Sequence, residues 1–528
     1  MLDRLTGKPV HATIHFIACT GLAFGLPWSK IPLSLATALL LLNLLIAGDF
    51  KSYWQRWTTN SLLKWLLLYL FIEWCSLMWT SDFNYALHDL RVKLPLVIIP
   101  LVMVAFPFKN PKAVPALVCI FLGMLTLTSV INMGFYFQWW GNKQYADIRG
   151  LSLFGSHIRY ALLVVMGIVF SVSWLVRKFP FRIIPLLLIS WWLFYLYYSQ
   201  VVAGYSAFLS VVVIGLLVLL RNIQNKTKRI VLLICFVVPS VFFVRNMVVI
   251  LQPIPHKVTL DALPEKTING NYYTRDIQTM RWENGYPIIA QICETEIEPA
   301  WNKVSSIDYQ SGRDKKGNPL KLTLWRFLAS KGLPKDSLGM SQLSQQEIAW
   351  IENGTASILF TQGGLKARLY SIQNQLENHD DPNGHSLLQR LFYWKAATAI
   401  ISENWVFGVG AGDVEEVFQT YYTKTNSQLQ PENRKRAHNQ FLTSWVTSGI
   451  FGFCAFILLW LVQWRFAWKN RAIEWLCFIG ICLSSFLSED TIETQVGLTF
   501  VAFFFGLFAA NTVVPAKKAA KDGTLTQI

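Results

Sequence analysis

The stretch RKRAHNQFLTSWVTSGIFGFCA, Arg434 to Ala455, decides how the chain is read. A basic run meets His438-Asn439, and an apolar segment of membrane length starts at once. A titratable ring therefore stands where a polar region ends and a spanning segment begins. Nine residues separate Asn439 from Gly449, and Gly452 and Ala455 follow at three-residue spacing. A helix with that pattern has one face nearly bare of side chains, so another backbone can approach it closely.

The rest of the chain has the same character as this segment. Of 528 residues, 53% are hydrophobic and 14% aromatic. Apolar runs that meet the need for about 20 residues per crossing lie at 12–28, 31–48, 61–80, 94–108, 114–140, 160–176, 183–198, 204–220, 230–251, 439–464, 473–488 and 494–512. They predict an all-α polytopic membrane protein of about 12 transmembrane helices with one large extracytoplasmic loop. The N-terminal run imitates a signal peptide, but it is followed at once by a second spanning run and is expected to remain as the first span.

A formal charge of +16 would suggest a nucleic-acid partner in a soluble chain. Here Lys and Arg fall in short connectors such as Lys51 to Arg56, Arg221 to Arg229 and Arg465 to Arg471, and no nucleic acid is expected. The alternate connectors are poorer in both, so the positive-inside rule places both termini in the cytoplasm. The expected units are a membrane bundle of about nine helices over 1–252, a periplasmic loop with amphipathic helices over 253–437, about three membrane helices over 438–514 and a cytoplasmic tail over 515–528. Inside the loop, the capping boxes Ser344-x-x-Glu347 and Ser386-x-x-Gln389 predict two helices. The second should bury Leu387, Leu388, Leu391, Phe392 and Ala399. Seven of the eight cysteines lie in apolar runs, and neither a disulfide framework nor a zinc spacing follows.

The spacing from His438-Asn439 to Gly449-x-x-Gly452-x-x-Ala455 resembles the signature of the O-antigen ligase family, membrane enzymes that move a sugar chain from a polyprenyl pyrophosphate to an acceptor. The resemblance is concentrated between Arg390 and Gly497. The segment ENWVFGVGAGD, Glu403 to Asp413, is similar to the family's glycine-rich turn, with Trp405 where proline is usual. The family often has an arginine before its eighth span, where this chain reads Ser199-Gln200-Val201-Val202. The resemblance implies a GT-C-like helical enzyme of the bacterial inner membrane, without cofactor or metal. It would pass a glycan with inversion from an undecaprenyl pyrophosphate donor to a lipid A-core acceptor.

Residue roles follow from that chemistry. His438 is the expected catalytic base, kept neutral by Arg434, Lys435 and Arg436, with Asn439 orienting it or binding sugar. Arg149, Arg159, Arg368 and Arg390 are candidates for the pyrophosphate, because guanidinium forks stabilise a leaving group that gains charge. Gly408, Gly410 and Asp413 are expected to present backbone N–H groups and a carboxylate to an anionic or sugar-bearing ligand. Gly449, Gly452, Glu489, Asp490 and Glu493 are expected to support the site, the carboxylates by holding arginines. Arg91 and Lys93 read as a surface anchor pair. An oligosaccharide polymerase or a protein O-oligosaccharyltransferase shares these features. A glycan-lipid transporter is the alternative of another class, disfavoured because the polar residues gather at one membrane face and not near the midplane.

Overall fold

In the computed structural model, residues 8–141, 148–177, 179–274, 281–362, 364–377, 382–383 and 386–512 are described. The expected tail from 515 onward and the first seven residues lie outside them. Among the described residues, ten helices precede the loop: α1 (Lys8–Gly25), α2 (Lys30–Ala47), α3 (Phe50–Thr59), α4 (Ser61–Cys75), α5 (Phe83–Ala105), α6 (Ala113–Tyr136), α7 (His157–Val176), α8 (Ile183–Ser199), α9 (Val202–Asn222) and α10 (Lys226–Leu251). Each expected apolar run falls on a helix. Of the helices described, seven are long and apolar enough to cross a membrane by length and composition, and four more are shorter apolar helices. Local sequence sets their ends: Ser29, Asn60 and Asp82 accept hydrogen bonds from N–H groups of the first turns of α2, α4 and α5. Helix α3 is an addition that the apolar runs do not announce. It packs along α5, where Trp57 Nε1 donates to the Leu101 carbonyl at 2.9 Å and Arg56 donates to that of Ala105.

The loop folds into its own small unit before returning to the bundle. A two-stranded antiparallel hairpin, β1 (Trp282–Glu283) and β2 (Tyr286–Pro287), joins α11 (Glu294–Asn302), α12 (Leu320–Ser330), α13 (Ser337–Ser341) and α14 (Gln345–Glu352). Ile297, Trp301, Tyr309, Leu324, Phe327 and Ile351 form part of its core. The capping box at Ser344 and Glu347 is present, and the chain leaves α14 through Gly354 at φ +79°. After it come α15 (Gly364–Glu377), α16 (Ser386–Glu403) and α17 (Val414–Lys424). The buried face of α16 is Leu388, Tyr393, Ala396, Ala397, Ile400 and Ile401, whereas Leu391 is exposed. The observed face is rotated from the expected one, because α16 packs on a later helix and on α17 rather than lying on one apolar surface.

The last helices, α18 (Gln440–Lys469), α19 (Ile473–Phe486) and α20 (Gln495–Asn511), close the bundle. Helix α18 packs on α4, α19 on α9 and α20 on α5. These pairings bring the start of α18 and the turn between α19 and α20 against the ends of α4 and α5. The candidate site forms there.

Candidate functional site

The site is held by the turn Leu487–Thr494, which carries three of the carboxylates singled out above. Asp490 Oδ2 accepts from the backbone N–H of His438 at 3.1 Å, and its Oδ1 accepts from Thr443 Oγ1 at 2.7 Å. The backbone of His438 sits at φ +45°, a conformation that costs a non-glycine residue about 1–3 kcal/mol and tends to occur where surroundings over-determine it. Asn439 caps α18 through bonds from Phe441 N at 3.0 Å and Leu442 N at 3.2 Å, while its amide donates to the Leu487 carbonyl at 3.0 Å. Its side chain is thus used in placing His438.

The imidazole of His438 lies between an aromatic ring and a carboxylate. Tyr393 stacks at 5.5 Å between centroids, and Glu489 Oε2 is 3.5 Å from Nδ1. Nδ1 is buried and has no hydrogen-bond partner at shorter range among the described residues, while the side chain as a whole is 33% exposed. Two of the basic residues before His438 have partners elsewhere. Arg436 pairs with Glu493 at 3.7 Å, and Arg434 donates to the Leu429 carbonyl at 3.0 Å. The expectation that the basic run sets the state of the ring is therefore corrected: the charged partner of Nδ1 is Glu489. Burial works to raise the Glu489 carboxyl, but His438 and Arg390 overcome it and hold it below the usual carboxylate range. Burial pushes Asp490 up, against Arg436 and His438.

Beneath this turn lies an ion cluster of which only the Glu493 end stands out in the sequence. Lys93 is 3% exposed, and its Nζ lies 3.2 Å from Glu73, 3.0 Å from Asp89 and 3.3 Å from Glu493. Tyr69 donates to Glu73 at 2.7 Å, and Gln440 donates to Glu493 at 3.0 Å. Lys93 is thus no surface anchor. The signal that could have found the cluster is Glu73 in the apolar run SLLKWLLLYLFIEWC, since a lone carboxylate in such a run needs a partner.

The arginines divide by how far the fold uses them. Arg390 donates through Nε to Ser488 O at 3.0 Å, through Nη1 to Ser386 O at 3.2 Å and through Nη2 to Glu489 at 2.5 Å, leaving two of its five N–H groups. Arg159, in the first turn of α7, has a buried Nε with no partner among the described residues and feels the charges of Glu489 and Asp490. Arg368 stands on α15, which packs on α8, α10 and α16. Arg149 falls in the 3-10 turn Ile148–Leu151, and its side chain is outside the described residues. Among the described residues there is no group of three or more His, Cys, Asp or Glu arranged to hold a metal.

The glycine-rich turn has a different use from the one expected. Gly408 and Gly410 take φ +73° and +96°, but their N–H groups are engaged: Gly408 donates to Asn404 at 2.9 Å and Gly410 to Thr447 at 3.0 Å. Ala411 and Gly412 donate to Ser76 Oγ at 3.1 Å and Thr80 Oγ1 at 2.8 Å. Asp413 accepts from the N–H groups of Ser81 at 2.9 Å and Asp82 at 2.8 Å. The expected ligand cradle is corrected to a packing joint. Helix α18 is broken at Ser448–Gly449, where a Cβ on Gly449 would stand 2.0 Å from the Val406 carbonyl oxygen. The bare face of α18 therefore receives this turn. At Gly452 a Cβ would meet Ser448 Oγ of the same helix at 1.8 Å.

Residues 354–457, which contain His438, Asn439 and the whole glycine turn, match the family model described as O-Antigen ligase. The match covers residues 354–457 of the 528, and over this stretch the chain is similar to that family. Over 135 residues the chain is also 29% identical to a protein of Haemophilus influenzae described as uncharacterized, a match that covers 24% of this chain and 34% of that relative. The chain thus spans about a third of that relative's length. Glu73, Lys93, Arg159 and the carboxylate turn lie outside the matched residues, and Glu73, Lys93 and Glu493 are joined to one another by ion pairs.

Proposed function

We propose that this membrane protein is a glycosyltransferase of the O-antigen ligase kind, passing a glycan from a polyprenyl pyrophosphate carrier to a lipid A-core saccharide at the periplasmic face of the inner membrane. The observation that carries the reading is the partly exposed imidazole of His438, with the Glu489 carboxylate 3.5 Å from Nδ1. In the proposed reactive complex Glu489 closes on Nδ1 as a hydrogen-bond acceptor, which places the ring proton there and leaves Nε2 to act on the acceptor. In the proposed step Nε2 removes the proton of an acceptor hydroxyl as its oxygen bonds to the anomeric carbon. The bond from that carbon to the pyrophosphate oxygen breaks on the opposite face, with inversion, and the electron pair leaves with the pyrophosphate. Arg159, with its unpartnered Nε, is the cation best able to receive that charge, and the remaining N–H groups of Arg390 assist. Neither a cofactor nor a metal enters the step.

The experiment that tests it is a gel comparison of surface glycolipids and glycoproteins from a deletion strain. Loss of long chains on lipid A-core, with lipid-linked polymer intact, is the expected result. Short chains in their place would assign a polymerase, a shifted glycoprotein would assign a protein O-oligosaccharyltransferase, and absence of polymer from the outer leaflet would assign a transporter.

A further inference from the structure

The far end of the bundle holds a feature that the transfer site does not use. Beyond its break at Ser448–Gly449, helix α18 runs on from Ile450 to Lys469, about 30 Å further from His438, and α19 starts from that end. There, between α7, α8, α9 and the first turn of α19, lies a cavity of about 810 Å³. Ile168, Val172, Leu193, Phe208, Val212 and Gly215 are among its walls. A Cβ built on Gly215 meets nothing within 4 Å, so this wall is open and not plugged by a neighbour. Val172, Leu193 and Val212 are exposed, so the space opens on the outer surface of the bundle, where an apolar chain can enter it.

One end of the cavity is charged. Arg177, Arg471 and Glu474 line it. The Glu474 carboxylate is buried and accepts from both Arg177 and Ser173, so its charge is already matched. The guanidinium of Arg471, by contrast, has no partner among the described residues and is exposed at the turn between α18 and α19. Close by, Arg221 stacks over Trp468 at 5.0 Å and donates to its carbonyl. Two arginines and one carboxylate thus line this end, with Arg221 beside it. Basic pockets between membrane helices favour anionic lipid head groups over zwitterionic ones.

We propose that this cavity is a binding site for an anionic diacyl phospholipid, with its phosphate between Arg471 and Arg177 and an acyl chain along α7, α8 and α9. The inference rests on the helices spanning a membrane and is independent of the chemistry at His438.

Native mass spectrometry of the purified full chain tests this, with phosphatidylglycerol and phosphatidylethanolamine added at equal concentration. Wild type should retain phosphatidylglycerol with a preference of about tenfold, equal to about 1.4 kcal/mol. Arg471→Ala should erase the preference while some lipid of either kind is still retained, and Gly215→Leu should reduce retention of both. If Gly215→Leu does not give folded protein, Val212→Phe fills the same space and replaces it. Equal retention of the two lipids by wild type, or undiminished retention by the filled variants, overturns the proposal. Displacement of phosphatidylglycerol by a polyprenyl phosphate at tenfold lower concentration overturns the diacyl occupant.

Discussion

Two turns abut α18 within a few residues of each other, and they handle polar groups in opposite ways. The glycine turn, Trp405 to Asp413, meets α18 at Val446 to Ile450, and the N–H groups of Gly408 to Gly412 go to protein acceptors. The carboxylate turn, Leu487 to Thr494, meets the chain at His438 to Thr443, is held by more charge, and yet leaves the Nε of Arg159 without a partner among the described residues. Glycines at alternate positions thus let two backbones touch, whereas the side chains beside the carboxylate turn are braced by the ion cluster without being saturated. A motif that reads as a ligand cradle can be a joint.

Substitutions can undo either turn. The largest effect is expected under the carboxylate turn: Lys93→Ala leaves Glu73, Asp89 and Glu493 buried without their shared cation, a loss of about 3–5 kcal/mol. Size-exclusion chromatography of the detergent-purified variant should show loss of the folded species, and a normal profile would mean that the cluster is hydrated and not a brace. Next comes the glycine turn. Gly449→Ala sets a Cβ against the Val406 carbonyl at φ +64° and should cost about 2–4 kcal/mol, lowering abundance while the surviving molecules transfer normally. A variant with normal abundance and no transfer would return that turn to the active site.

Arg159→Lys probes the carboxylate turn from its open side. An ammonium does not reproduce a fork on pyrophosphate, so transfer should fall by roughly 10–150-fold, the worth of about 1.5–3 kcal/mol from a charged hydrogen bond. Unchanged transfer at normal abundance would make Arg159 an anchor only. The smallest effect concerns pH. Burial alone would raise the Glu493 carboxyl, but Lys93, Arg436 and Gln440 bring it down to about 2 from 4.5. Because the folded-state value is depressed, its stabilising contribution is present above the ordinary value and is lost as pH falls toward 2. The difference in melting temperature between wild type and Glu493→Gln should therefore stay constant from about pH 7 to about pH 5 and shrink only below that. A difference already gone at pH 5 would contradict the pairing.

What could be read from sequence was the part fixed by local pattern. Each apolar run became a helix, and the box at Ser344 capped its helix, because both depend on residues a few positions apart. His438 and the three carboxylates were legible as candidates through their place at segment ends. Their partners were not. Lys93 looks like a surface cation because its carboxylates come from α4, from its own helix and from a turn four hundred residues later. The basic run looks like the neighbour of His438, yet Arg436 turns to Glu493 and leaves Glu489 to face the ring. The face of α16 is hidden from its own periodicity for the same reason, since helices packed after the loop decide it.

On this reading His438 is a proton acceptor backed by Glu489, and one substitution isolates that role. His438→Gln keeps a hydrogen-bonding side chain of similar reach and removes the basic nitrogen. Purified protein should be assayed for transfer from a lipid-linked donor, with donor binding measured in parallel. Donor binding should persist while transfer falls by about 10²–10⁴-fold, the usual contribution of a general base. Transfer by His438→Gln at near wild-type rate would contradict the role and leave His438 as a residue that only positions the acceptor.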